Sequence, residues 1–483
     1  MPAGNADRVL KFLADEETAS LQRLDEWLRI PSISTDPHYA VDCARAARWA
    51  ANYLLDCGFS GEVLPAGPAD RPGHPVVLAH CPGAPDYRGP HVLFYGHYDV
   101  QPVDPIDLWE SPPFEPVIRE GKPGGPGRRI VARGAVDDKG QVMTFLEAVR
   151  AYRHVTDMVG GGVKFTVLLE GEEESGSTNL ESFVRQHLGA LKDCDVCLIS
   201  DTGMLDRGKP AVTYGVRGLA YTEVTLHGPN QDLHSGLWGG RVLNPNAALV
   251  QALAQLWDKD RRVAIPGFYE GVPEPSADER AAWARLPFSA PDALAKIGLP
   301  ACADVGETGY STIEREWARP TAEINGIYGG YTGPGAKTVI PSHATAKVSF
   351  RLVADQQPDK VVQMFFKWLQ ERTPAGFRWE LKDLHGGFPA TLPTDSVHLQ
   401  AAKRALKRAA GPGVEPAMIK SGGSIPVAGM LKSILGISTI FMGFGLDDDR
   451  VHSPNEKFEI DCFRLGARSH ALLIDELRAL QDR

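Results

Sequence analysis

Residues 164–177 read KFTVLLEGEEESGS. An apolar run runs into a glycine and then three consecutive glutamates, Glu172, Glu173 and Glu174. The first half reads as a buried strand. A run of carboxylates is ordinarily a solvated patch, but this one follows the carboxyl end of a strand, where open α/β sheets place their ligands. Adjacent residues on an extended chain point to opposite faces, so the three cannot share one role. One can ligate a metal while its neighbour takes a proton from water. Like charges this close need a cation nearby, or at least one pKa rises, and a dinuclear metal centre would supply that charge.

The surrounding chain repeats the strand-then-polar pattern. Apolar strands at 75–80 (PVVLAH), 91–96 (HVLFYG), 164–171 and 195–200 (DVCLIS) alternate with helical stretches at 138–154 and 178–190, after helices at 7–29 and 42–56. Such alternation indicates a parallel or mixed sheet flanked by helices, an α/β fold. After Gly208 the rhythm becomes strand 212–227, helix 244–257, strands 322–328 and 344–352, helix 358–372 and strand 376–383. That β-α-β-β-α-β order is ferredoxin-like, here interrupted by an insertion at 258–320. The α/β rhythm then returns with helix 396–409, strand 437–444 (ISTIFMGF) and helix 460–481. The expected organisation is one catalytic domain made of 1–210 and 386–483, with an α+β domain, 211–385, inserted between them.

The bulk numbers narrow the class. A chain of 483 residues is too long for one ordinary core. Its 43% hydrophobic and 23% charged content is that of a soluble globular protein. A net charge of −10 with no basic block argues against nucleic acid and anionic membranes as partners. The start, MPAGNADRVLKFLADEE, lacks the basic and apolar regions of a signal peptide, and seven scattered cysteines suit a reducing, cytoplasmic location. Cys194 and Cys197 form a C-x-x-C without a second pair, and read as core residues of a buried strand.

Three further stretches carry chemistry. In GHYDVQP (96–102), His97 and Asp99 lie two apart at a strand exit and so share a face. A metal-binding His steered by an Asp on its other ring nitrogen fits that pair. In RGAVDDKG (133–140), Asp137 and Asp138 stand at a strand-to-helix transition. One can cap the helix, and one can bridge two metals. Asp201 ends the strand 195–200, and His452 follows the strand at 437–444. Two His, two Asp and a Glu at successive strand ends, with a second Glu as base, are about what two four-coordinate metals need.

These stretches, with SPPFEP (111–116), DLHSGLWGG (232–240), GAKTVIP (335–341), GGSIPV (422–427) and HSPNEKF (452–458), resemble those of the M20 metallopeptidases, most of all the cytosolic nonspecific dipeptidase and carnosinase branch. The resemblance implies a zinc-peptidase-like mixed sheet with an inserted lid and dimerisation domain, and two Zn²⁺ per subunit, with Mn²⁺ and Co²⁺ suiting the same ligands. It implies His97 on one metal, His452 on the other, Asp137 bridging, and Glu174 and Asp201 completing the shells. Asp99 would orient His97, Glu173 would activate the bridging water, and a cis peptide would follow Asp137. The inserted domain would form a homodimer in which His234 reaches the partner's site and stabilises the oxyanion. Arg351 would pair with the terminal carboxylate of a small peptide substrate, beside Thr338, His385, Gly423 and Ser424. Glu172 has no implied role and is expected to be solvated. The chain departs from the family's R-E-G-G-S-I-P at Lys420 and Ser421, on the pocket wall.

The activity expected is hydrolysis of dipeptides or short peptides with a free C-terminal carboxylate. Its rivals are an N-acyl or N-carbamoyl amino acid amidohydrolase or a carboxypeptidase with the same chemistry, and, more remotely, a catalytically inactive binding relative.

Overall fold

The computed structural model describes residues 4–121 and 125–480. The chain forms two compact units. The first takes Met1–Tyr214, Leu392–Ile419 and Leu431–Arg483, and the second Gly215–Thr391 and Lys420–Met430. The strands used below are β1 (Ser60–Leu64), β2 (Val76–Pro82), β3 (Val92–His97), β4 (Lys164–Glu170), β5 (Val196–Ile199), β6 (Ala211–Val216), β7 (Gly218–His227), β8 (Thr321–Gly329), β9 (His343–Leu352), β10 (Arg378–Gly387) and β11 (Ser438–Phe441). The helices are α1 (Lys139–Thr156), α2 (Pro245–Leu253), α3 (Pro358–Gln370) and α4 (Ile460–Arg478).

In the first unit the sheet runs β1-β2-β4-β3-β5-β11-β6. β3 pairs in parallel with β4 and β5, and β11 in parallel with β5, while β1 and β2 are antiparallel additions. Four strands therefore point one way, and their carboxyl ends emerge along one edge of the sheet. Every residue of β3 is buried, as expected of a parallel strand covered on both faces.

One helix positions that edge. α1 is buried all round from Lys139 to Val149, which makes it a core helix rather than an amphipathic one. Its Phe145 stacks on Phe94 of β3 with ring centroids 3.8 Å apart, and meets His470 of α4 edge-on. His470 hydrogen-bonds Thr144 Oγ1 at 3.0 Å and Ser200 Oγ at 2.9 Å. Burial pushes its pKa down to about 3, so a neutral imidazole links α1, α4 and the exit of β5. Gln141 Oε1 accepts from Phe444 N at 2.7 Å, which ties α1 to the exit of β11. The helix can start this close to the preceding turn because residue 140 is glycine: a Cβ there would lie 1.8 Å from Ala135 O.

The second unit is built on the antiparallel sheet β8-β9-β7-β10. Leu249 and Leu253 of α2 and Val361, Phe365 and Trp368 of α3 cluster with Val224 of β7 and Val348 and Phe350 of β9. The ferredoxin-like expectation is borne out. The interrupting segment contains the short helices Ala277–Trp283, Ala290–Lys296 and Thr312–Trp317.

Several elements differ from the sequence reading; the helix expected at 178–190 is two, Leu180–Gln186 and Leu188–Leu191. The helix expected at 7–29 is two helices, Asn5–Asp15 and Glu17–Leu28, because Glu16 leaves helical backbone at φ −96° and ψ 8°. No apolar residue longer than alanine falls between Leu13 and Leu21 to hold one continuous stripe against the core. The strand expected at 212–227 breaks at Arg217, whose backbone N–H donates to Gly423 O at 3.1 Å.

Phe145→Ala should cost about 3–5 kcal/mol of stability, since it empties a fully packed aromatic site. Denaturant titration of the variant beside the wild type checks this, with the midpoint falling and the slope unchanged.

Candidate metal centre

β3 delivers His97 to the sheet edge with its ring fully buried. Nδ1 lies 3.1 Å from the carbonyl oxygen of Asp99, an acceptor, so that nitrogen carries a ring proton and Nε2 is the atom turned toward the carboxylates. Nε2 has no hydrogen-bond partner, and a buried polar atom without one is costly. Around it lie Asp137 Oδ1 at 3.2 Å and Asp201 Oδ2 at 3.8 Å. On the other side of the same carboxylate, His452 Nε2 lies 3.0 Å from Asp137 Oδ2 and 3.2 Å from Glu174 Oε2. The five residues thus form two ligand groups, His97–Asp137–Asp201 and Asp137–Glu174–His452, sharing Asp137 with one oxygen turned to each. An orphaned imidazole nitrogen and an all-N/O donor set with a shared carboxylate fit a pair of divalent cations.

The glutamate run divides into three environments. Glu174 Oε2 accepts from Gln101 Nε2 at 2.7 Å, which aims it at His452. Glu173 lies on the short 3₁₀ turn Glu173–Ser175 beside the ligand carboxylates. Glu172 is not solvated. Its carboxylate is buried and accepts from His74 N at 3.0 Å, Asn179 N at 3.2 Å and Asn179 Nδ2 at 3.0 Å. It satisfies backbone donors of two flanking segments, a structural duty invisible in a charge run.

Asp99 does more than face His97. Its carboxylate lies 3.3 Å from Nδ1, while its two oxygens accept from Glu173 N at 3.3 Å and Glu174 N at 3.0 Å. One aspartate therefore fixes both the histidine and the glutamate turn. The Asp137–Asp138 peptide is cis. Asp138 occupies the cap position of α1, yet its side chain makes no cap bond. Instead Oδ2 accepts from His97 N at 3.3 Å. The turn before Asp137 is held from the far end of the chain: Glu456, fully buried, accepts from Gly134 N, Val136 N and Asp137 N and from Arg133 Nη1. Sequence reasoning passed over Gln101 and Glu456, although both lie inside the quoted motifs.

Residues 93–476 match the sequence profile described as "Peptidase family M20/M25/M40". The chain belongs to that family. The M20 metallopeptidase expectation is borne out. The chain is 32% identical to the Cys-Gly metallodipeptidase of Saccharomyces cerevisiae over 93% of each protein. It is 31% identical to the Beta-Ala-His dipeptidase of Homo sapiens, over 99% of this chain and 94% of that one. Among solved structures, an M20 family metallo-carboxypeptidase from Sulfolobus solfataricus superposes with a TM-score of 0.80 at 30% identity, covering 95% of this chain and 99% of the other.

The second unit of this M20 peptidase carries the remaining candidate residues. Arg351 Nη1 donates to Ser424 Oγ at 2.8 Å. The loop bearing Gly423 and Ser424 is held by Arg217, whose Nε donates to Gly422 O at 2.9 Å. Ser421, at the departure from the family pattern, accepts from Gly423 N at 3.1 Å. His234 and Thr338 are neighbours. His234 pairs with Val339, and Thr338 O accepts from Ser235 N at 3.0 Å. His234 is exposed, and its Nδ1 accepts from Gly236 N at 3.0 Å, so the neutral ring offers an Nε2–H donor. The side chain of His385 lies outside the described residues. Cys194 and Cys197 are buried in and beside β5, and among the described residues no candidate metal group includes a cysteine.

Without cations the centre holds protons. Burial first, then the nearby Asp201, Glu174 and Asp137, push Glu173 up to about 8. Burial and Asp137 push Asp201 up to about 7. Hydrogen bonds to Asp137 and Glu174 hold His452 up at about 10. Each group binds protons more tightly when folded than when unfolded. Stability of the metal-free chain should therefore fall as pH rises, from about pH 4 through 8 for the two carboxyls and from about 6.5 through 10 for His452. Divalent cations replace those protons, so the metal-loaded chain should lack this slope, and loading at pH 7 should release protons. Melting temperatures across pH with and without metal, and calorimetry in buffers of different ionisation enthalpy, check both.

Proposed function

We propose that this M20 peptidase is a dinuclear zinc hydrolase that cleaves the amide bond of dipeptides or short peptides bearing a free C-terminal carboxylate. The observation that carries the reading is Asp137, whose two oxygens face two different histidines. The similarity to the Cys-Gly and Beta-Ala-His dipeptidases supports a dipeptide as substrate. Seven free cysteines, six of them buried, are consistent with a reducing cytoplasm.

When bound, two divalent cations would acidify a water and polarise the scissile carbonyl. The chain's own residues do the rest. Glu173 takes the proton of the attacking water and passes it to the leaving amine, its environment already favouring the protonated form. Asp99 holds the Glu173 amide, and so the base keeps its place while its charge changes. Arg351 pairs with the substrate's terminal carboxylate. Its recorded partner is the neutral hydroxyl of Ser424, and the flat guanidinium offers a bidentate match that lysine would not. Thr338, His385, Gly423 and Ser424 line that end of the substrate.

His234 acts in the active site of a second copy, donating from Nε2 to the developing oxyanion, a contribution of about 3 kcal/mol. A homodimer through the inserted unit is supported by β8, an edge strand that exposes Ile324, Ile327 and Tyr328. The similarity to a metallo-carboxypeptidase favours one second reading, in which longer peptides lose their last residue at the same centre.

Two measurements test the proposal. Glu173→Ala should lower kcat by about a thousandfold or more, while elemental analysis still finds two metals per chain. A panel of free dipeptides, longer peptides, N-acetyl and N-carbamoyl amino acids should be turned over in that order of preference. C-terminal amidation of the best dipeptide should raise KM sharply.

A further inference from the structure

Glu456 lies four residues beyond His452 and reaches the backbone that presents Asp137. Its Oε1 accepts from Val136 N at 2.9 Å and Asp137 N at 3.1 Å, and its Oε2 from Gly134 N and Arg133 Nη1, both at 2.9 Å. Both oxygens are therefore used twice, in a site with no solvent exposure. Arg133 extends the grip: Nη2 donates to Pro102 O at 2.8 Å, next to Gln101, which steers Glu174. Asn455 anchors the same loop from its other side, with Oδ1 accepting from Glu110 N at 2.7 Å and Nδ2 donating to Leu108 O at 2.8 Å. The loop needs anchoring. Arg450, His452 and Asn455 all have left-handed backbone, at φ 59°, 59° and 64°. Such conformations are costly in residues other than glycine and persist only where the surroundings hold them.

We propose that Glu456 is the positioning residue of the Asp137–Glu174–His452 ligand group: it sets the distance between the shared carboxylate and His452, and so the affinity of that one metal position. It binds no metal itself. Its carboxylate acts by reach, gripping three backbone donors of the Asp137 turn, those of Gly134, Val136 and Asp137, from the chain segment that carries His452. The His97–Asp137–Asp201 group has its own supports in Asp99 and the strand ends, so it depends on Glu456 less. The inference rests on the two-metal reading above.

Competitive titration of the full-length, metal-stripped chain with Zn²⁺ against a chromophoric chelator tests it, with wild type alongside. Wild type should take up two Zn²⁺. Glu456→Gln keeps the shape but turns an N–H₂ toward backbone donors. It should retain one Zn²⁺ within a few-fold and weaken the other by about 10–100-fold. Glu456→Asp keeps the charge but shortens the reach, and should show the same selective loss. This second variant decides the question if the first does not fold. Wild-type affinity at both positions in either variant, or equal weakening of both, would overturn the positioning role. Fewer than two Zn²⁺ on wild type would instead overturn the two-metal reading on which it stands.

Discussion

A carboxylate has two oxygens, and the catalytic unit is arranged around how Asp137 uses them. One faces His97 from β3; the other faces His452 from the loop beyond β11. Two imidazoles from residues far apart in sequence must approach one small group from opposite sides, each within about 3 Å. Parallel β3, β4, β5 and β11 release their chains along one edge, and α1 begins at that edge with Asp137 just ahead of it. The aromatic stack of Phe94 on Phe145 and the neutral bridge of His470 keep strand and helix from sliding. Small displacements there would be felt directly as ligand distances.

The same arrangement concentrates negative charge. Asp99, Asp137, Glu173, Glu174 and Asp201 share one neighbourhood, and the fold manages them by giving each a different environment. Asp99 is satisfied by backbone donors and Glu174 by an amide side chain, while burial first, and then neighbouring carboxylates, favour the protonated form of Glu173. Differences of this kind let chemically similar groups a few ångströms apart differ in how readily they hold a proton. The ordering comes from hydrogen-bond donors, not from distance to solvent alone.

Much of this was legible in the chain. Period-two spacing placed His97 and Asp99 on one face, and apolar runs ending in acids located the strand exits where Asp201 and the glutamates lie. The β-α-β-β-α-β rhythm described the second sheet before its pairing was known. What the sequence hid were partnerships across long separations. Glu172 looked solvated because nothing local says that His74 and Asn179 will aim their amides at it. One acid of the Asp137–Asp138 pair was expected to cap the helix, caps being the common use of an acid there, whereas the Asp138 oxygen meets the amide of His97. Glu456 gave no local signal at all, being an ordinary glutamate in a loop until the 133–137 turn is brought beside it. Arg217 broke an expected continuous strand because its backbone bonds with a loop more than two hundred residues later.

The order of the chain has a consequence for when this centre can exist. Asp137 and its turn are made about three hundred residues before His452, Asn455 and Glu456. A nascent chain still threaded through the ribosome has His97, Asp137 and Asp201 but not the loop whose Glu456 grips the Asp137 turn. The Asp137–Glu174–His452 group thus cannot form until this loop has been made, and a chain cut short before the loop is left unable to assemble that group. The long closure that makes the site costly to form also makes it a record that translation has passed this loop.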